Sequence, residues 1–170
     1  MPLKKIKVKL NKKSIEKALK DVQEYKEDLE RKTQLLVQRL ADEGYNVILN
    51  NIFAYDAIET GKMLSTLNES VNGTYAVLSV GDCAMYVEFG TGPLGAQSPY
   101  EGDSKGWAYD VGENIKDYTI NGVTVRGWFY PDGAGGYRFT QGMPSRPFMN
   151  DSAMELRFQV MTKIVKEVFQ

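Results

Sequence analysis

The chain has 170 residues, of which 42% are hydrophobic and 25% charged, with a formal net charge of −1, one cysteine and no histidine. That is one domain's worth of chain, long enough to bury a core, in a composition ordinary for a globular protein. The charge balance argues against an electrostatic nucleic-acid binder, whose affinity comes from many Lys and Arg contacts. The missing histidines remove Ser-His-Asp and Cys-His nucleophiles and, with a single cysteine, every usual zinc set.

Cys83 alone cannot form an internal disulfide and reads as a small buried apolar residue. The N-terminus is basic but alternating, unlike a signal peptide. No apolar run approaches the ~18 residues of a membrane span.

Lys5-Ile6-Lys7-Val8-Lys9-Leu10 alternates strictly, which predicts a half-buried strand. Its lysine face reads first as solvated and protective of a sheet edge, and second as a contact with DNA or an acidic partner. From Ser14 the period becomes helical: Ile15, Leu19, Val22, Leu29, Leu36 and Leu40 recur, with Asn11 or Ser14 as cap and Gly44 as a stop or kink. Val47, Ile48, Ile52 and Phe53 continue the apolar face. The pattern predicts one long helix broken near Gly44, or two in sequence. It falls short of sustained heptads, so its stripe is expected against the domain's own sheet.

Thr60 is placed to cap a short helical turn reaching Leu67. Asn72-Gly73 and Asn121-Gly122 each sit between β-formers, and the Asn-Gly pair tolerates positive φ at both residues, so two hairpins are predicted. Between Pro93 and Gly142 the chain is rich in glycine and in aromatics such as Trp107, Tyr109, Trp128, Phe129, Tyr137 and Phe139. This segment is either a loop packed down by its own aromatics or an arm reaching a neighbouring subunit. The second reading is preferred, because long loops in compact domains are usually functional or disordered, and disordered segments are poor in aromatics. At the C-terminus Ser145 is a candidate cap, Pro147 suits a first helical turn, and Ala153, Leu156, Val160, Ile164 and Val168 form the buried stripe.

Two runs carry mixed aromatic, glycine and charged character: Tyr86-Val87-Glu88-Phe89-Gly90-Thr91-Gly92 and Met143-Pro144-Ser145-Arg146-Pro147-Phe148-Met149. They read as backbone hinges and contact anchors, with Phe148 a core anchor. Glu88 reads as a surface acid bonded to nearby backbone, or as a salt bridge to Arg146 or Arg126 within or between subunits. Gly90-Thr91-Gly92-Pro93-Leu94-Gly95 matches the spacing of a dinucleotide fingerprint. That motif needs a following helix N-terminus, whereas Pro93 removes a donor and Ala96–Gly102 reads as loop, so no cofactor is expected.

These segments also resemble a known family. Thr60-Gly61-Lys62-Met63-Leu64 is similar to a Thr-Gly-basic-x-Leu motif that follows the N-terminal helix in the gene-product-ten-like tail-component proteins of long-tailed phages and prophages. Tyr86–Gly92 resembles their Tyr-Val-Glu-Phe-Gly-Thr-Gly run. Gly106-Trp107, Gly127-Trp128-Phe129-Tyr130 and Thr140–Met149 resemble the rest, in the same order, from about Ser14 to the end. Each motif alone is weak; in order they are specific. Ala57-Ile58-Glu59 departs from the pattern, since members often carry a proline there.

The resemblance implies a structural virion protein without catalytic, cofactor-binding or metal residues. Copies would form a ring of six or twelve at the neck, for tail completion or head–tail joining. The implied neighbours are a head-closure or connector protein and a tail-terminator or tail-tube protein, with genomic DNA passing through unbound and no membrane involved. Assembly would take place in the bacterial host cytoplasm. Candidate assembly or hinge residues are Thr60, Gly61, Tyr86, Glu88, Phe89, Gly90, Thr91, Gly92, Trp107, Trp128, Arg146, Pro147 and Phe148. The rival readings are a small carboxylate-dependent phage hydrolase and an assembly chaperone absent from the particle. The expected fold is α+β in a single domain, 1–170: a small, mostly antiparallel sheet on a long N-terminal helical segment and a C-terminal helix. Residues 93–142 would form an inserted hairpin arm.

Overall fold

The computed structural model describes residues 5–57, 61–81, 83–103, 106–109 and 115–170. The fold is α+β. A long helix α1 (Lys12–Ala54) leads through a 3-10 turn (Leu64–Thr66) to the hairpin β1 (Asn68–Asn72) and β2 (Tyr75–Ser79). Two short helices follow, α2 (Ala84–Phe89) and α3 (Gly92–Gln97), and then β3 (Lys116–Ile120), β4 (Val123–Pro131) and β5 (Tyr137–Thr140). Helix α4 (Phe148–Glu155), a π-helical turn (Leu156–Val160) and α5 (Met161–Phe169) end the chain. The strands form a two-stranded and a three-stranded antiparallel sheet. The chain divides into two compact units, one of Met1–Val47, Asn68–Leu78 and Met154–Gln170, the other of Ile48–Leu67 and Ser79–Ala153.

In the first unit Asn11, not Ser14, caps α1. Its side-chain oxygen accepts from the Ser14 N–H at 2.9 Å, while the Ser14 hydroxyl accepts from the Lys9 N–H at 2.8 Å. Those bonds commit the preceding backbone to a turn. The strand expected at Lys5–Leu10 is accordingly not formed, and Leu10 is fully exposed. Along the helix, Lys12–Glu16, Lys20–Glu24 and Lys26–Glu30 pair one turn apart, each worth a few tenths of a kcal/mol, about 0.2–0.5.

The break expected at Gly44 is absent, and α1 runs through it. Gly44 serves instead for close approach: a Cβ there would lie 2.5 Å from the Leu78 side chain and 3.2 Å from that of Leu156. Ala41 and Val47 of α1 and Ile164 and Val168 of α5 are buried in this unit. The C-terminal stripe holds at Ile164 and Val168 and partly at Leu156 and Val160, but Ala153 is exposed. A π turn holds one residue more than an α turn, so the stripe changes phase there.

In the second unit Ile52 and Phe148 are each 0% exposed, confirming Phe148 as a core anchor. Buried Ser152 accepts from Asn51 Nδ2 at 3.0 Å and donates to the Phe148 carbonyl at 2.6 Å. Asn121 and Gly122 both take positive φ, 52° and 81°, as the Asn-Gly signal requires of a two-residue hairpin turn. In the β1–β2 hairpin only Gly73 does so, at 57°, and the connection shifts to Gly73-Thr74.

The segment expected to form a hairpin arm is more ordered than that. It holds α3 and the whole sheet β3-β4-β5, closed at its base by an antiparallel bridge between Thr91 and Met143.

Candidate assembly site

The two runs singled out in the sequence fold against each other. Helix α2 stops at Gly90, whose φ of 80° and ψ of 169° lie where only glycine is comfortable. Thr91 then pairs with Met143, each N–H donating to the other's carbonyl at 2.9 and 3.1 Å. The carbonyls at the end of α2 find partners in the second run: Val87 O accepts from the Arg146 N–H at 2.9 Å, and Glu88 O from the Ser145 hydroxyl at 2.6 Å. Ser145 therefore closes α2 and does not cap α4.

The cap of α4 comes from Glu88. Its carboxylate accepts from the Met149 N–H at 2.8 Å and the Asn150 N–H at 2.9 Å, satisfying two first-turn donors that otherwise lack partners. Glu88 is buried rather than a surface acid, and its oxygens meet backbone rather than Arg146 or Arg126. Arg146 instead donates to the Asp56 carbonyl at 2.8 Å. Burial pushes the Glu88 carboxyl above its usual range, opposed by the two N–H bonds and reinforced by the nearby charge of Asp151. Asp151 accepts from the Tyr55 hydroxyl, and that bond, helped by burial, pushes the Tyr55 phenol up to about 12.

Aromatic rings seal the outer side. Trp107 donates from Nε1 to the Gly90 carbonyl at 2.9 Å and packs on Tyr86 and Phe89 at 5.5 and 5.2 Å between centroids. Phe89 meets Tyr100 edge-on at 5.1 Å. Gly90 and Gly92 are not free hinges. A Cβ on Gly90 would sit 2.7 Å from Ser145 N, and one on Gly92 2.6 Å from the Trp128 ring. Both mark places where backbone is pressed against neighbours. A helix does follow the glycine run, since α3 begins at Gly92 with Pro93 in its first turn and takes in Ala96 and Gln97, while 98–102 is loop as expected.

Thr60 lies outside the described residues. Gly61 borders a cleft of about 500 Å³ with Met63, Leu64, Cys83, Tyr130 and Arg146. Cys83 is only half-buried, unlike the buried residue expected. Pro147 directly precedes α4, and its carbonyl accepts from the Asp151 N–H at 2.9 Å.

Sequence reasoning missed the orientation of the three-stranded sheet. Register pairs Tyr118 with Val125 and Phe129 with Phe139, which sets Tyr118, Val123, Val125, Phe129, Tyr137 and Phe139 on one face. Alternation puts Arg126, Trp128, Tyr130 and Thr140 on the other. On the mixed face Trp128 lies on Gly92, and Tyr130 and Thr140 line the cleft, whereas Arg126 is exposed. On the apolar face Phe129, Val123 and Tyr137 are 45%, 61% and 72% exposed, and Tyr118, Val125 and Phe139 are half-buried. Tyr118, Phe129 and Phe139 pack edge-to-face there at 5.2–5.6 Å. The alternation in the sequence was the available signal; which residues became covered depended on Gly92 and the cleft.

Among the described residues no cluster of three metal-ligating side chains occurs, and no helix is long and apolar enough to cross a membrane. No protein-family profile, curated protein or solved structure matches the chain.

Proposed function

We propose that the chain is a structural protein of the phage neck, acting in tail completion or head–tail joining, whose copies close into a ring around the DNA channel. The observation that carries the reading is the apolar face of the β3-β4-β5 sheet, on which Val123, Phe129 and Tyr137 are exposed. Such a contiguous apolar surface marks a protein contact. The motif pair around Glu88 holds the segment that carries that sheet, because the Thr91–Met143 bridge joins the two ends of the segment. Ring closure requires a heterologous contact whose rotation closes, and the aromatic face supplies one side of it. The ordered likeness of the Thr60–Leu64, Tyr86–Gly92 and Thr140–Met149 motifs to the phage tail-component family supplies the biological setting. Both Glu88 oxygens are engaged by backbone donors, which favours a positioning role for this acid over a catalytic one.

The test is a phage lacking this protein, viewed by electron microscopy. Filled heads beside separate tails are expected, and normally joined particles would overturn the proposal. Complementation with Phe129→Asp should fail while the purified variant stays folded by far-ultraviolet circular dichroism, although its thermal midpoint falls with loss of the ring contacts to Tyr118 and Phe139.

A further inference from the structure

We infer that the N-terminal half of α1 pairs antiparallel with the same segment of a second copy, in a two-fold contact centred on Val22. The sequence pattern led to the expectation that this stripe would pack on the domain's own sheet. The structure leaves it at the surface: Ile15 is 43% exposed, Leu19 65%, Val22 53%, Tyr25 38% and Leu29 38%.

The spacing of these residues is symmetric. Ile15 and Leu29 stand seven positions either side of Val22, and Leu19 and Tyr25 three either side. At 100° per residue all of them fall within a single stripe about 21 Å long, apolar but for Lys26 near one edge. A stripe that reads the same in both directions is self-complementary under a two-fold axis. It sets Val22 against its Val22 and Ile15 beside Leu29 of the second copy across the seam, and brings Leu19 level with Tyr25 of the second copy on opposite edges of the seam.

Charge selects the antiparallel direction. Two ion pairs, Lys12–Glu16 and Lys26–Glu30, lie on the same flank of the stripe, which carries lysine outermost at one end and glutamate outermost at the other. Reversal of one helix against the other brings Lys12 across from Glu30 of the second copy, and Glu16 across from its Lys26. A parallel, in-register pair faces this flank with the opposite one, where Asp21, Asp28 and Lys32 lie; it forms neither contact and brings only Glu30 near Lys32 of the second copy, a lysine already paired with Asp28. Complementary charges flanking an apolar seam set partner and orientation.

This contact is isologous, whereas ring closure is heterologous. It therefore stands or falls apart from the neck reading: cross-links along α1 can form in a protein that never enters a virion, and can fail in one that does.

The experiment uses the full chain with Cys83→Ser, so that introduced cysteines are the only thiols. Under mild oxidation Val22→Cys should cross-link to itself, and Ile15→Cys should cross-link efficiently only when mixed with Leu29→Cys. Self-cross-linking of Ile15→Cys with no gain on mixing would show a parallel pair and overturn the inference, as would absence of any cross-link. By sedimentation velocity, Val22→Asp should abolish the dimer with unchanged far-ultraviolet circular dichroism. Lys12→Glu should weaken it roughly threefold or more, and added Glu30→Lys should restore it. A sedimentation profile unaffected by Val22→Asp would place any dimer contact elsewhere and overturn the inference.

Discussion

Replacement of Gly90 by alanine tests whether the two motifs really clamp one another. The cost has two sources. Alanine at a φ of 80° and ψ of 169° incurs backbone strain of about 1–3 kcal/mol. The new methyl would also lie 2.7 Å from Ser145 N and 2.9 Å from Met143 O and the Pro144 carbonyl carbon, all backbone atoms. Forcing a methyl into such packing costs roughly another 1–3 kcal/mol. A total of about 2–6 kcal/mol is a large share of the ~5–15 kcal/mol that holds a typical domain folded.

The assay is built into the site. The chain has two tryptophans. Trp107 is bonded to Gly90 O, and Trp128 lies on Gly92, so tryptophan fluorescence during urea unfolding reports on this region. At a slope of ~2 kcal/mol per M the midpoint should fall by about 1–3 M. The control is Gly122→Ala in the same unit, where φ is also positive at 81° but nothing lies within 4 Å of a new Cβ. That change should cost only the left-handed penalty of about 1–2 kcal/mol. Equal midpoints for the two variants would show that no close approach exists at Gly90 and refute the clamp.

Phe148→Ala, at a fully buried position, should cost about 3–5 kcal/mol in the same assay; a change well under 1 kcal/mol would remove Phe148 from the core. Because the folded-state pKa of Glu88 is raised, the native state binds the extra proton, and this group's contribution to stability falls as pH rises from its unfolded value of about 4.3 through the folded one. The stability advantage of wild type over Glu88→Gln should therefore shrink across that window, as read from urea midpoints at successive pH values; a widening gap would contradict the burial argument. Duplex DNA should bind weakly and be released by modest salt, since positive charge clusters only between Lys4 and Lys13 in a chain of net charge −1; tight binding at near-physiological salt in a filter titration would argue for a DNA-binding role.

Local signals carried the fold a long way. The helical period from Ser14, the Asn121-Gly122 turn and the C-terminal stripe at Ile164 and Val168 each depend on a few neighbouring residues, and each is found. Failures occurred where a distant partner decides. Gly44 carries the composition of a helix stop, yet continuing the helix lets Leu78 and Leu156 approach its bare Cα. Ser145 has the chemistry of a cap, but Glu88, 57 positions earlier, reaches the α4 donors first and leaves the Ser145 hydroxyl to close α2. Lys5–Leu10 alternates as a strand should, but the Lys9 N–H is committed to Ser14. Alternation is a permissive signal, since a strand also needs a neighbour to complete its hydrogen bonds.

In the proposed assembly the Glu88 region and the exposed residues of the β3-β4-β5 sheet have separate parts. A buried acid between two short motifs invites a catalytic reading, because burial and a raised pKa also mark general acids. Both oxygens of Glu88, however, are held by the Met149 and Asn150 N–H groups, Asp151 is held by Tyr55, and Trp107 and Phe89 cover the turn. Glu88 also borders a cavity of about 580 Å³ with Phe89, Trp107 and Met149, but a general acid gives up its proton from an oxygen free to reach substrate, and each oxygen here accepts from a backbone N–H. These contacts instead fix α4 relative to α2 and fix both ends of the segment that carries β3, β4 and β5. A rigid base of this kind matters most if the segment presents a surface, and the sheet does so with the exposed residues of its apolar face. Interference with Glu88 should thus act on assembly through the orientation of the sheet, whereas Phe129→Asp acts on the contact itself. A Glu88 variant that is stable, correctly folded and yet unable to assemble would establish that link, and one that assembles normally despite loss of the α4 cap would break it.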